Sequence, residues 1–283
     1  MKNIRYFFEW VLLKIVFFFF GLLNLDRASD IGGRIGRFLG PKLGLSRIAK
    51  KNLSTAMPDL NEEEREKILD GMWENLGRLM GEYPHMEQIG KERVEIHGQE
   101  VLERLKASKS GSIIFGAHLA NWEMTSYGLQ ELGPCPVVRI PNNPWLRKMI
   151  EKRRGAEVIP KSAAGTRQLV RNLKEGKHVG ILIDQKYNEG LPVEFLGIQA
   201  MTSPAFVQLA RKFSCPLVPT RFERLNGPNF RITFYEPLPL NDSNGNPLTD
   251  EACIRNAHAY LEAWIRERPK QWIWIHRRWK GIA

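Results

Sequence analysis

From residue 112 onward, the hydrophobic pattern of the chain alternates between short apolar runs and longer amphipathic stretches. The short runs, rich in β-branched residues, lie at residues 112–115, 136–140, 156–159, 179–183, 217–220 and 230–235. Stretches with helical spacing lie at residues 145–154, 165–175, 204–213 and 250–267. Strands that alternate with helices predict an α/β fold, with a mainly parallel sheet and helices on both of its faces.

The region before residue 112 carries weaker signals. Residues 26–58 are basic and spaced by glycines, which indicates a connector with one short helix. Asn61 and Glu64 have the spacing of a capping box, which predicts that a helix begins there. Ile68 and Met72 follow at helical spacing and are expected to face the core.

The N-terminus is strongly apolar. Residues 6–23 contain only two charges, Glu9 and Lys14, and residues 17–20 are four phenylalanines. This length is borderline for a membrane span. We expect residues 1–24 to form a membrane anchor helix and residues 25–283 to form one domain, although a helix lying in the membrane interface and a buried soluble helix stay open. Cations are more numerous after the apolar segment than before it, which predicts that the domain faces the cytoplasm.

The charge balance narrows the choice of partners. The chain of 283 residues has a net charge of +11 and an isoelectric point of about 9.7, which suits nucleic acid, an acidic membrane leaflet or an acidic protein. Its cysteines, Cys135, Cys215 and Cys253, are far apart and lack the spacing of a metal site. We therefore expect no bound metal and a reducing compartment.

The segment that leaves the strand at residues 112–115 carries His118 and, five residues later, Glu123. Reactive groups of open α/β sheets lie at such strand ends. Five helical steps would leave the two side chains about 140° apart, so they can meet only across a turn, which Gly116 permits. A histidine held by a carboxylate is a general base. The alternative is a surface histidine and a glutamate that favours a helix start.

The segment from His118 to Glu123 resembles the His-x4-(Asp/Glu) motif of the lipid A late acyltransferases, bacterial enzymes that add secondary acyl chains to lipopolysaccharide precursors. Further motifs of this family occur in the same order over residues 5–280, and they include residues 50–58, Trp73, Asn75, Gly77, Glu82, residues 138–139, 143–144, 153–155, 183–186, 195–197 and Thr202. Met57 and Leu196 stand where an aromatic residue is more usual, and these changes affect packing.

The resemblance implies a glycerophosphate-acyltransferase-like fold in which residues 25–283 are the acyltransferase domain. It also implies an acyl carrier protein thioester, or less readily acyl-CoA, as donor, a glycolipid of the lipid A pathway as acceptor, and a place at the inner membrane. Ester formation from a thioester needs a base, a carboxylate that orients it, and a group that stabilises the oxyanion. His118 and Glu123 are expected to supply the first two, and no cofactor is required.

Arg154 is the candidate for the positive group, because it ends a helical pattern just before Gly155 and matches the region of the family's functional arginine. Arg153 is the alternative if the register differs by one residue. Arg139 follows a predicted strand and is a third candidate. Asp184 also follows a predicted strand, and we expect it to bind an arginine such as Arg154 or to position the acceptor. A solvated helix end and a turn aspartate are the alternatives for these residues.

The C-terminal residues 270–280 interleave tryptophan with arginine and lysine. This pattern suits membrane headgroups, single-stranded nucleic acid, or tryptophans packed in the core. The favoured function is an acyltransferase acting on a lipid A precursor. The rivals are an acyltransferase for another glycolipid, such as a phosphatidylinositol mannoside, and a non-catalytic basic protein that binds membranes or nucleic acid. The apolar N-terminus and the position of His118 argue against a nucleic-acid partner.

Overall fold

The computed structural model describes residues 2–133, 137–138, 143–146, 148–149, 158–159 and 163–279. A seven-stranded sheet lies within this part of the chain, and its strands are β1 (Val94–His97), β2 (Ile113–Gly116), β3 (Val137–Val138), β4 (Val158–Ile159), β5 (Val179–Leu182), β8 (Leu217–Asn226) and β9 (Asn229–Phe234). The strand order is β1-β9-β8-β2-β5-β3-β4. All neighbouring strands are parallel except β8 and β9, which pair antiparallel.

A separate antiparallel hairpin consists of β6 (Leu191–Phe195) and β7 (Ile198–Thr202). Leu196 and Gly197 form its turn with positive φ angles of 54° and 80°. The sequence did not predict this hairpin or β1. Each of these strands has only four or five residues, which is too short for periodicity to distinguish it from a loop.

Helices cover both faces of the sheet. Among the described residues, their bounds are α1 (Lys2–Gly21), α2 (Leu25–Leu39), α3 (Leu45–Ala56), α4 (Glu62–Glu82), α5 (Met86–Glu92), α6 (Gln99–Ala107), α7 (Thr125–Gly128), α8 (Ala163–Lys174), α9 (Ala205–Lys212) and α10 (Asp250–Glu267). Alternate residues of β2 enter different cores: Ile113 and Phe115 belong to the core that includes residues of α3, α9 and α10, whereas Ile114 belongs to the core that includes residues of α5 and α6. The predicted α/β fold, with a mainly parallel sheet between helices, is therefore confirmed.

Residues 26–58 differ from the predicted connector, because they form two helices, α2 and α3. The prediction was wrong because the glycines of α2 are packing positions. A Cβ atom added to Gly77 of α4 would lie 2.1 Å from the carbonyl oxygen of Gly32 in α2. Small residues let two helix backbones approach this closely, and the buried face of α2 consequently consists mainly of small residues.

The first residues of α4 follow the predicted capping box. Asn61 Oδ1 accepts a hydrogen bond from the Glu64 amide, and the Glu64 side chain accepts one from the Asn61 amide. This reciprocal pair satisfies two amides that a helix start would otherwise leave without partners. It sets the beginning of the helix that, nearer its end, presents Asn75 and Glu82 to the interior.

The N-terminal segment forms α1, which packs by one side against the end of α4, where the rings of Phe17 and Tyr83 stack at 4.7 Å. The other side of α1 is exposed, and Phe8, Leu12 and Phe19 are 65%, 63% and 62% accessible to solvent. Within the described residues, no helix combines the length and the apolar character needed to cross a membrane.

Candidate active site

His118 and Asp184 lie side by side although 66 residues separate them. Strand β2 ends at Gly116, and its parallel neighbour β5 ends at Leu182, the residue that pairs with Gly116. Each strand is followed two residues later by the polar side chain. Because the carboxyl ends of parallel strands share one edge of the sheet, the register itself brings imidazole and carboxylate together.

The Asp184 carboxylate binds His118 through both of its oxygens. Asp184 Oδ1 lies 2.7 Å from His118 Nδ1, and Asp184 Oδ2 accepts the His118 backbone N–H at 2.9 Å. The Trp272 indole also donates to Oδ2, at 2.8 Å. Burial alone would raise the pKa of the Asp184 carboxyl, but the positive charge that His118 carries when it is protonated, its hydrogen bonds and that of the Trp272 indole outweigh burial and hold this pKa well below its ordinary value. Asp184 is therefore an anion.

The partners of the two ring nitrogens define the tautomer of His118. An ionised carboxylate only accepts, so His118 Nδ1 carries the proton that is donated to Asp184. The amide nitrogen of Gln185, 3.2 Å from His118 Nε2, only donates, so Nε2 carries a lone pair. A histidine in this state has its base atom directed away from the carboxylate, as a general base requires.

Glu123 follows His118 in a short 3-10 helix (Trp122–Met124). It is largely buried and accepts a hydrogen bond from the Trp122 indole at 3.1 Å. The described carboxylate at His118 Nδ1 is that of Asp184, and the expectation that Glu123 orients the imidazole stays a prediction. The turn between His118 and Glu123 differs in detail, since the residue with a positive φ is Ala120, at 50°, and not Gly116. A catalytic part for Glu123 stays a prediction.

The turn that follows His118 is held at its backbone from two sides. Asn75 of α4 donates to the Ala120 carbonyl at 2.9 Å, and the Ala120 amide donates to the Gln271 carbonyl at 3.0 Å. A non-glycine residue with positive φ is strained and persists where its surroundings hold it. These two bonds provide such support at Ala120.

A buried ion pair lies behind the same turn. Glu82 of α4 and Arg224 of β8 form a two-pronged salt bridge, and Glu82 also accepts from Asn121 at 2.9 Å and from Ser29 at 2.7 Å. Arg224 in turn donates to Asn75 at 2.9 Å. Asn75 and Glu82 appear in the family resemblance without an assigned role, and the structure shows that they support the turn after His118.

The three arginines named from the sequence, Arg139, Arg153 and Arg154, lie outside the described residues. The described partners of Asp184 are His118 and Trp272, so its expected bond to an arginine such as Arg154 stays a prediction. In the described part of the chain, no cluster of histidine, cysteine, aspartate or glutamate side chains is arranged to hold a metal ion.

No pattern in the sequence indicated that Trp272 belongs to this site. Of the three interpretations of the C-terminal run, core packing is confirmed, because Trp272, Trp274 and Trp279 are buried. The hydrogen bond from Trp272 to Asp184 depends on tertiary contacts between residues 88 positions apart. A pattern of tryptophans along the chain cannot reveal which indole N–H meets a carboxylate.

Comparison with known proteins places these features in a family. A profile of the family described as bacterial lipid A biosynthesis acyltransferase matches residues 1–281. The lipid A biosynthesis palmitoleoyltransferase of Escherichia coli K12 is 25% identical over 288 residues, which cover 98% of this chain and 92% of that protein. The lauroyltransferase of the same strain is 26% identical over 299 residues with the same coverage, and the myristoyltransferase is 25% identical over 260 residues, covering 87% and 79%.

Proposed function

Because the chain belongs to the bacterial lipid A biosynthesis acyltransferase family and so transfers an acyl chain to a lipid A precursor in lipopolysaccharide biosynthesis, we propose that His118 is the general base of this transfer. The observation that carries the proposal is the hydrogen bond of 2.7 Å between His118 Nδ1 and Asp184 Oδ1. It leaves His118 Nε2 with the lone pair that accepts the proton of the acceptor hydroxyl.

The reaction follows from these two residues. Nε2 removes the hydroxyl proton while the oxygen attacks the thioester carbonyl carbon, and Asp184 stabilises the imidazolium that forms. The carbon–sulfur bond then breaks, and the thiolate leaves with the proton that His118 held. The Gln185 amide lies where the acceptor hydroxyl would approach Nε2, so it yields this position to the substrate.

We propose that Glu123 and the arginines named from the sequence contact the substrate. Glu123 lies in the same turn as His118 and takes part in the transfer, and Arg154 stabilises the oxyanion or a lipid phosphate, with Arg153 and Arg139 as the alternatives. The planar guanidinium suits such an anion better than an ammonium group does. Replacement of Arg154 by lysine should therefore reduce turnover more than it reduces stability.

Acyl carrier protein is the proposed donor and coenzyme A the alternative, and a hydroxyl on a primary acyl chain of the lipid A precursor is the proposed acceptor. A net charge of +11 favours both an acidic carrier protein and a phosphorylated glycolipid. Another glycolipid, of the phosphatidylinositol mannoside type, is the second candidate acceptor and uses the same chemistry.

Mass spectrometry of lipid A from cells with and without the gene tests the function. We expect the deletion to remove the mass of one acyl chain, and the loss also identifies the chain length. The wild-type gene should restore this mass, and the His118→Ala gene should not. Lipid A of unchanged mass in the deletion would contradict the proposed acceptor.

We further propose that the protein works at the cytoplasmic face of the inner membrane, with residues 1–24 as its anchor. In the described part of the chain, the exposed large hydrophobic side chains lie between Ile4 and Leu45, apart from Tyr187. An apolar groove of about 570 Å³ is lined by residues of α1, α2 and α4, among them Phe19 and Leu39. Such a concentration of exposed apolar surface is typical of a helix that lies in the membrane interface.

A further inference from the structure

We propose that Trp272 is a positioning residue for the histidine–carboxylate pair: its indole N–H holds Asp184 in the orientation that His118 requires. This inference rests on the proposed role of His118 as base. The described hydrogen bond of Trp272 to this pair goes to Asp184 Oδ2, so its effect on the reaction passes through Asp184.

Three hydrogen bonds from described residues hold the Asp184 carboxylate. Asp184 Oδ1 faces His118 Nδ1, while Oδ2 receives the His118 amide and the Trp272 indole at 2.9 and 2.8 Å. Two donors on Oδ2 prevent the carboxylate from rotating about its Cβ–Cγ bond. Without the indole N–H, Oδ2 would keep one donor, and that donor belongs to the same residue that Oδ1 has to orient. Among the described residues, Trp272 thus supplies the hydrogen bond to Asp184 that does not come from His118.

The indole is itself held in place by close packing. Trp272 is 1% exposed, and its ring meets those of Phe195, Trp274 and Trp279 at centroid distances of 5.8, 4.7 and 6.1 Å. Tight packing of this kind locks a side-chain rotamer. A functional site keeps its geometry when the residues that support it have locked rotamers.

The C-terminal segment, residues 271–279, also contacts both loops of the site. Trp272 forms an isolated antiparallel bridge with Leu119, and the Gln271 carbonyl accepts the Ala120 amide. Further along, His276 Nε2 accepts the amide of Lys186, two residues after Asp184. The segment that holds the carboxylate is therefore tied to the loop after β2 and to the loop after β5, so Asp184 and His118 are positioned by a common element.

Trp73 of α4 offers a matched control. It is 6% exposed and donates its indole N–H to Ser46 Oγ at 3.0 Å rather than to Asp184. Both Trp272→Phe and Trp73→Phe remove one buried indole N–H and a similar volume. Both variants should therefore lose similar thermal stability, and a difference between their turnover numbers reports on the bond to Asp184 alone.

The experiment measures transfer of lauroyl, myristoyl and palmitoleoyl groups from acyl carrier protein to a lipid A precursor by the full-length chain. For Trp272→Phe we expect kcat to fall on the order of ten-fold with little change in KM, since a hydrogen bond to a charged group is lost. Trp73→Phe should keep a kcat within about two-fold of the wild type, because the bond it loses, to Ser46, is remote from Asp184.

A double-mutant cycle then tests whether Trp272 acts through Asp184. Trp272→Phe added to Asp184→Asn should lower kcat no further, because residues that act as a unit do not have additive effects. Independent losses that multiply, or equal kcat values for Trp272→Phe and Trp73→Phe, would overturn the positioning role while the proposed function stands. Full activity of His118→Ala would refute the proposed function and, with it, the role of Trp272.

Discussion

At the scale of single residues, the site depends on which atom of His118 each neighbour contacts. Glu123 was expected beside the imidazole because it is near in sequence, whereas Asp184 holds Nδ1 because its strand is the parallel neighbour of β2. That His118 and Asp184 each follow the end of a strand was predictable from the sequence. Their pairing was not, because a sequence does not state which strands are neighbours or in what register they pair.

His258 should make the stability of the protein depend on pH. Burial, and next the charge of Arg278, lower the pKa of His258 to about 3. Its Nδ1–H donates to the Glu194 carbonyl at 2.7 Å, so the neutral ring fits the fold. The unfolded chain binds this proton near pH 6.5 and the folded chain does not. The contribution of His258 to the free energy of unfolding is therefore fully present above about pH 6.5 and falls by about 1.4 kcal/mol per pH unit from there toward pH 3.

Chemical denaturation of the wild type and of His258→Gln between pH 7 and pH 4 measures this dependence. The variant should lose less stability on acidification, with a slope smaller by about one proton. His178 contributes to both proteins equally, because burial lowers its pKa as well. Identical slopes for the two proteins would show that His258 is not the group that titrates.

At the scale of elements, α4 links the outer helices to the active-site turn. Its glycines admit α2, while its buried polar residues, Asn75 and Glu82, reach the turn and Arg224 of β8. The capping box and helical pattern made the existence of α4 predictable. The partner of Glu82 was not predictable, because Arg224 lies 142 residues away and looks like any other charged residue of a strand.

Glu82→Gln should lower the free energy of unfolding by about 3 kcal/mol, because it leaves the Arg224 charge buried without its counterion. Glu87→Gln is the control, since Glu87 pairs with Lys91 at the surface, where the loss of an ion pair changes stability little. Denaturant unfolding of the two variants makes the comparison. Equal small effects would mean that water reaches Arg224 and that the pair does not support the turn.

At the scale of the whole molecule, the exposed apolar side chains lie mainly on the N-terminal helices, and the candidate site lies at the carboxyl ends of the sheet strands. Sequence periodicity predicted the layers correctly, because alternation of strands and helices reflects burial on both faces of a sheet. It misjudged residues 26–58, where the face of α2 that packs against α4 consists mainly of small residues. The N-terminal segment looked like a spanning helix by composition, and the structure shows a helix with one packed and one exposed side.

The proposed membrane contact of α1 can be tested through its exposed side chains. Phe8→Glu with Leu12→Glu should reduce flotation of the full-length chain with phosphatidylethanolamine–phosphatidylglycerol vesicles at high salt, because both side chains face solvent and would enter the interface. Gln199→Glu with Ser243→Glu adds the same charge at exposed positions elsewhere and should leave flotation unchanged. Release of the wild type by salt alone would assign the binding to the basic surface.

His118 and Asp184 act as one unit in the proposed reaction, and the rates of acyl transfer by their variants test this coupling. His118→Ala and Asp184→Asn should each lower kcat by about 10²–10⁴, and the double variant should be little worse than either single one. His178→Ala, at a buried histidine whose Nδ1 lies 2.8 Å from Ser112, is the control for loss of an imidazole and should stay active. Near-normal transfer by Asp184→Asn, or losses that multiply in the double variant, would contradict the account.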